Sequence, residues 1–185
     1  MKFKVTPQQI PDVLLIEPTV YNDDRGYFKE NHNQRDFEEF LPGVRFVQSN
    51  ESLSKKGVIR GLHFQRAPHA QAKLVRVALG TVWDVAIDLR QDSPTFKQYV
   101  FAELSAENHR QFFIPAGFAH GFIVISDRAI VQYKTDAFYC AEADGGIYPY
   151  DPDLNIPWPL PKMEHLLSEK DLLLPALSTL GLEQN

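Results

Sequence analysis

The chain predicts an all-β, antiparallel fold, and three observations carry that prediction. From about Val44 to Thr135 it runs as short apolar stretches rich in Val, Ile and Phe, separated by Gly, Pro, Asn and Ser. Helical periodicity is confined to the flanks, at Asn33 to Phe40 and near Lys162 to Lys170. Strands without intervening helices cannot form parallel βαβ units, so the sheet closes as a barrel or folds as a two-sheet jelly roll. With 185 residues, 44% of them hydrophobic, the chain can close one sizeable core and not two, so a single domain over 1–185 is expected.

The elements follow in order. The opening MKFKVTPQQIPDVLLIEPTV has a short apolar run broken by acids and prolines, without a signal peptide's cleavage pattern or the length of a membrane span. A cytoplasmic protein with no membrane partner is the expectation. NQRDFEEF has helical spacing. KLVRVALG, TVWDVAIDLR, KQYVFAEL, QFFIPAGFAHGFIVIS and RAIVQYKT each read as a strand or a strand and turn, and VALGTVWDV reads as two strands meeting at Gly80. In FFIPAGFAHGF a turn at Pro115 and Gly117 redirects the chain, and His120 emerges as the next strand begins. Tyr148 to Pro161 holds five prolines and should run as an extended cover outside any central sheet.

The formal net charge of -5 disfavours nucleic acid and anionic membrane as partners, so an anionic ligand must meet a local cationic patch. Cys140, the single cysteine, cannot form an internal disulfide and reads as a small packed residue. Nucleophile elbows, phosphate-cradling glycine loops and Cys-x-x-Cys pairs are missing from the sequence, so phosphate contacts fall to cations such as Arg25, Arg60 and Lys170.

Several side chains are chemically out of place on plain strands. Strict alternation puts His63 on one face with Ile59, Gly61 and Gln65 and turns Arg60 to the other; a bulge at Gly61 would bring both inward. Lys73 shares its phase with Val75, Val77 and Leu79, and lies either in a site or at a wet strand end with its stem on apolar surface. Asp84 and Asp88 fall on the polar phase of TVWDVAIDLR, which reads as solvated unless an interior acid orients a histidine. His120 alone reads as a structural imidazole. Tyr133 alternates with Val131, and a buried phenol needs a partner. The tight His-x-His pair of a metal-binding barrel is absent, which disfavours a metal site.

Taken in order, DDRGYF (Asp23 to Phe28), FVQSNES (Phe46 to Ser52), VIRGLHFQ (Val58 to Gln65), KLVRV (Lys73 to Val77), DVAIDLR (Asp84 to Arg90), FFIPAGFAHGF (Phe112 to Phe122), DPDLNIPWP (Asp151 to Pro159) and SEKD (Ser168 to Asp171) resemble the dTDP-4-dehydrorhamnose 3,5-epimerases. That resemblance implies a cupin-like jelly roll with a few short peripheral helices. It implies an enzyme without metal or cofactor that inverts C3 and C5 of dTDP-4-dehydro-6-deoxy-D-glucose for dTDP-rhamnose and surface-glycan biosynthesis, working as a homodimer. By the family pattern His63 is the base, Asp171 its dyad partner, Lys73 the group facing the ketone oxygen and Tyr133 the acid. Arg25, Glu30, Gln48, Asn50, Arg60, His120, Asp144 and Lys170 match positions lining the nucleotide-sugar site. Two positions depart from the pattern: Ala72 stands where glycine is common, and Asp144 where a longer glutamate is frequent. The competing readings are a single-carbon epimerase on a related nucleotide ketosugar, a cupin-like sugar-binding module without catalysis, and a metal-dependent cupin enzyme.

Overall fold

The computed structural model describes residues 2–181; Met1 and 182–185, included in the expected 1–185 domain, lie outside the described residues. In chain order the strands are β1 (Phe3–Pro7), β2 (Leu14–Pro18), β3 (Val20–Asp23), β4 (Gly26–Lys29), β5 (Gln48–Lys55), β6 (Ile59–Gln65), β7 (Lys73–Leu79), β8 (Thr81–Asp88), β9 (Tyr99–Ser105), β10 (Gln111–Ile114), β11 (Phe118–Val124), β12 (Arg128–Thr135) and β13 (Asp144–Gly146). The helices are α1 (Gln34–Glu38) and α2 (Glu169–Leu172). Strands β1-β2-β10-β7-β12-β5 make a six-stranded sheet, β13-β6-β11-β8-β9 a five-stranded one, and β3-β4 a separate hairpin. Pairing within these sheets is antiparallel throughout.

The two sheets pack face to face. Val75, Val77, Phe112, Ala129 and Val131 from one interdigitate with Val82, Ala86, Leu104, Phe122 and Val124 from the other in a single buried cluster. Of the two arrangements left open by the sequence, this is the two-sheet jelly roll. Gly80 takes φ +74 between β7 and β8, a backbone state that glycine adopts without steric cost. A Cβ at Gly80 would lie 2.1 Å from the Arg128 carbonyl oxygen.

Both outer faces are also covered. Phe37 and Leu41, from α1 and the turn after it, pack with Phe3, Ile16 and Phe113 outside the six-stranded sheet. The proline-rich tail runs over the five-stranded sheet with no strand of its own between Tyr148 and Pro161. There Ile147, Leu154 and Leu177 bury against Leu62, Val85 and Ile87. Each such side chain contributes about 1.5–3 kcal/mol by leaving water, enough together to hold the tail down.

Three differences from the sequence expectations have physical causes. Strands β1 to β4 and β13 lie outside Val44 to Thr135: β1 and β2 pair with each other and join the sheet through β10, β3 and β4 form a local hairpin, and β13 is held by β6, so pairing and not periodicity defines these short strands. The expected helix at Lys162 to Lys170 is only a 3-10 turn at Lys162–Glu164, then the single turn of α2, whose N-cap Ser168 accepts from the Asp171 N–H. Cys140 is half-buried, its thiol 3.2 Å from a Glu142 carboxylate oxygen, rather than packed in the core.

Candidate active site

One end of the sandwich holds a cavity of about 560 Å³, lined from the six-stranded sheet by Gln48, Asn50, Lys73 and Tyr133 and from the five-stranded sheet by Arg60, His63, His120 and Asp144. Its rim carries Tyr139 and Lys170. The strand phases account for the convergence. On β7 and β12 the inward phase is Lys73-Val75-Val77 and Ala129-Val131-Tyr133, so Lys73 and Tyr133 extend the apolar interior rows to the cavity.

Arg60 and His63 differ in parity, and a bulge reconciles them. His120 pairs with His63 while Phe122 pairs with Arg60, so two steps on β11 match three on β6. Gly61 sits within the extra step at φ +136, and a Cβ there would lie 2.6 Å from the Gly121 Cα. Gly61→Ala is expected to cost about 2–6 kcal/mol through backbone strain and overpacking, lowering Tm by roughly 10 °C. A calorimetric Tm equal to wild type would show that β6 and β11 do not approach this closely.

His63 is held from behind. Its Nε2 lies 2.7 Å from Asp171 Oδ1, across 108 positions of sequence. The tail makes this possible by running beside β6: Leu166 donates its N–H to the Gly57 carbonyl and accepts from the Ile59 N–H, delivering α2 to the cavity. Burial pushes the Asp171 carboxyl up, but His63, the Ser168 hydroxyl and the Gly61 N–H together hold it below the ordinary range. An ionised Asp171 accepts the Nε2–H, which leaves Nδ1 as the basic nitrogen of His63.

Lys73 is buried, with Nζ 3.2 Å from the His63 carbonyl oxygen. Burial lowers its pKa to about 8, opposed by the charges of Asp84 and Asp144. Of the two alternatives for Lys73, the wet strand end is therefore excluded. Burial also raises the Tyr133 phenol, against the charge of Arg60. Its hydroxyl makes no hydrogen bond among the described residues.

Asp84 and Asp88, read as solvated unless an interior acid orients a histidine, are both fully buried. Asp84 sits 2.9 and 3.0 Å from His120 Nε2, while Asp88 is satisfied by Arg90, Ser93 and Thr95. Asp84 thus follows the second of those readings, and the burial of both acids has a clear source. Both faces of the five-stranded sheet are covered, so polar alternation on β8 marks the interior of the sandwich and not water. His120 is likewise more than a structural imidazole, since its ring lines the cavity.

The remaining cavity contacts are polar and local. Arg60 donates to the Ser54 hydroxyl at 2.9 Å, Gln48 donates to Asn50 at 3.0 Å, and Lys170 reaches Asp144 at 2.7 Å.

Comparison with known proteins shows the family. The family model for dTDP-4-dehydrorhamnose 3,5-epimerase matches residues 7–179. The epimerase of Pseudomonas aeruginosa is 56% identical over 169 residues, 91% of this chain and 92% of that protein. The chain belongs to this family. It is an epimerase, and its fold is the cupin-like jelly roll of these enzymes. The crystal structure of the Legionella pneumophila epimerase in complex with dTDP-4-keto-L-rhamnose superposes with a TM-score of 0.93 at 45% identity, covering 99% of this chain and 98% of that one. A 3'-monoepimerase from Streptomyces bikiniensis in complex with dTDP-quinovose superposes at 0.87 with 31% identity, covering 94% and 87%.

Not every matched family position reaches the cavity. Arg25 is almost fully exposed on the β3-β4 hairpin, bound to Asp23, and Glu30 pairs with Lys2; neither lines the cavity within the chain. The hairpin pairs only with itself, so nothing turns these side chains toward β6. Ala72 and Asp144, the departures from the epimerase pattern, are accommodated. Ala72 is buried with its N–H on Asp136, and Asp144 spans to Lys170 despite its shorter side chain. Among the described residues no group of three His, Cys, Asp or Glu side chains is arranged to hold a metal ion.

Proposed function

We propose that this chain inverts C3 and C5 of dTDP-4-dehydro-6-deoxy-D-glucose, giving dTDP-4-dehydro-L-rhamnose, through proton abstraction beside the C4 ketone. The observation that carries this reading is the placement of His63 and Tyr133 on facing sheets of one cavity that Lys73 also lines, its Nζ 3.2 Å from the His63 carbonyl oxygen. A proton next to a ketone becomes removable when the enolate oxygen is stabilised where its charge develops. Lys73 supplies that donor. Inversion takes the proton from one face and returns one to the other, which needs a base on one wall and a weak acid opposite. His63, paired with Asp171, is the base, and Tyr133 is the acid, its phenol kept protonated by burial. Arg60, Lys170, Gln48, Asn50, His120 and Asp144 bind the nucleotide and sugar, with the two cations meeting the diphosphate.

The working form is a homodimer of single-domain chains. In that form Arg25 and Glu30 serve the cavity of a second copy, which accounts for a projecting hairpin whose Tyr21, Tyr27 and Phe28 are all more than half exposed. The enzyme acts in the cytoplasm.

Incubation of the dTDP ketosugar in heavy water tests the reaction. Deuterium at both C3 and C5 is the expected result, read by NMR. Label at C3 alone would place the chain with the 3'-monoepimerase, and label at neither carbon would remove the epimerase reading.

A further inference from the structure

We propose that Asp84 is a positioning residue of this reaction: its carboxylate takes the Nε2–H of His120, leaving Nδ1 as an acceptor, and keeps the neighbouring Lys73 ammonium charged. The inference rests on the epimerase reading above. Asp84 does not line the cavity and is wholly buried, so it cannot touch substrate. Both its oxygens converge on one imidazole nitrogen, at 2.9 and 3.0 Å, and no other hydrogen bond of its side chain exists among the described residues. A sealed carboxylate with one imidazole partner is expensive to bury unless a cation shares it. Lys73 is that cation, and Asp84 is the foremost charge favouring its ammonium.

Titratable groups from several strands share the cavity or its buried back wall with Lys73. They are Asp84 on β8, His120 on β11, His63 and Arg60 on β6, Asp144 on β13 and Tyr133 on β12. Burial drives His120 toward its neutral form and Asp84 upward, while their hydrogen bond and Lys73 oppose the rise of Asp84. With Asp84 ionised, neutral His120 carries its proton on Nε2. Its Nδ1, which has no partner among the described residues, then accepts from a sugar hydroxyl and cannot donate to the ketone oxygen. The enolate charge falls to Lys73 alone. Asp84 thereby sorts the two neighbouring polar groups, making one a donor and the other an acceptor.

Two measurements test this. In Asp84→Asn the carboxylate is lost with little change of shape, and the alkaline fall of kcat/KM should move down by about one pH unit from its wild-type position. Activity at pH 8 should then drop about fivefold more than activity near pH 6. A uniform loss at all pH values, or an unmoved alkaline limb in folded protein, would overturn the proposal. The second uses wild-type protein and survives a variant that does not fold. Imidazole nitrogen-15 shifts of His120, assigned against His120→Gln, should show the Nε2–H tautomer from about pH 6 to 8. A proton on Nδ1 would mean a protonated Asp84 donating to the ring, and the proposal would fail. Wild-type protein inert toward the ketosugar would instead remove the epimerase reading, with the tautomer still deciding the state of Asp84.

Discussion

Replacing His63 by Asn is expected to abolish solvent deuterium wash-in at both C3 and C5 while leaving dTDP affinity unchanged. Both carbons flank the same ketone, and an amide has no basic lone pair to take a proton from either. General-base removal costs about 10²–10⁴-fold in rate, and the neighbouring inward position on β6 supplies no substitute. Gln65, the next inward residue of β6, spends its amide on the His69 carbonyl and the Cys140 N–H. The backbone bonds of Leu166 to Gly57 and Ile59 do not involve the imidazole, so the tail and α2 stay in place. Isothermal calorimetry with dTDP checks that point. Exchange that persists would take the base role from His63, and affinity lost together with exchange would mean that the cavity itself had collapsed.

How far the sequence disclosed this arrangement depends on whether distance along the chain or distance across the sandwich decides a residue's environment. Lys73 and Tyr133 were legible because they continue interior rows of branched side chains, and a charged or phenolic member of such a row has few places to go. The bulge at Gly61 was legible as a possibility of the Arg60-Gly61-Leu62-His63 order, since only an extra residue brings both functional side chains to one face. The burial of Asp84 was legible only as an alternative. Its alternation with Trp83 and Val85 gives the pattern of a sheet wet on one side, and only the tail, about seventy residues on, makes the Trp83 face apolar by covering it. The pairing of Asp171 with His63 is invisible to periodicity for the same reason and entered through family resemblance. Arg25 and Glu30 show the opposite limit. Both match family positions by sequence, yet within the chain they lie outside the cavity.

Lys73→Met should lower kcat by about 10²–10³-fold, the cost of removing one preorganised donor from a developing oxyanion. The case for so large an effect is the burial of the ammonium. In water a single hydrogen bond to an enolate is worth little, but a desolvated cation that is already in place needs no reorganisation when charge forms. The same burial brings the Lys73 pKa down to about 8, so its contribution has a pH signature. The working form is the protonated one, which is complete below that pKa and lost as pH rises through it. Wild-type kcat/KM should accordingly fall above about pH 8. Tyr133 cannot produce that fall, since burial moves its phenol in the opposite direction, above the usual value for tyrosine. In Lys73→Met the small residual rate should lose its alkaline limb near that pH, because the group that titrated there is gone. A Met variant with a lowered rate and the limb intact would assign the titration to another group and leave Lys73 only a packing role.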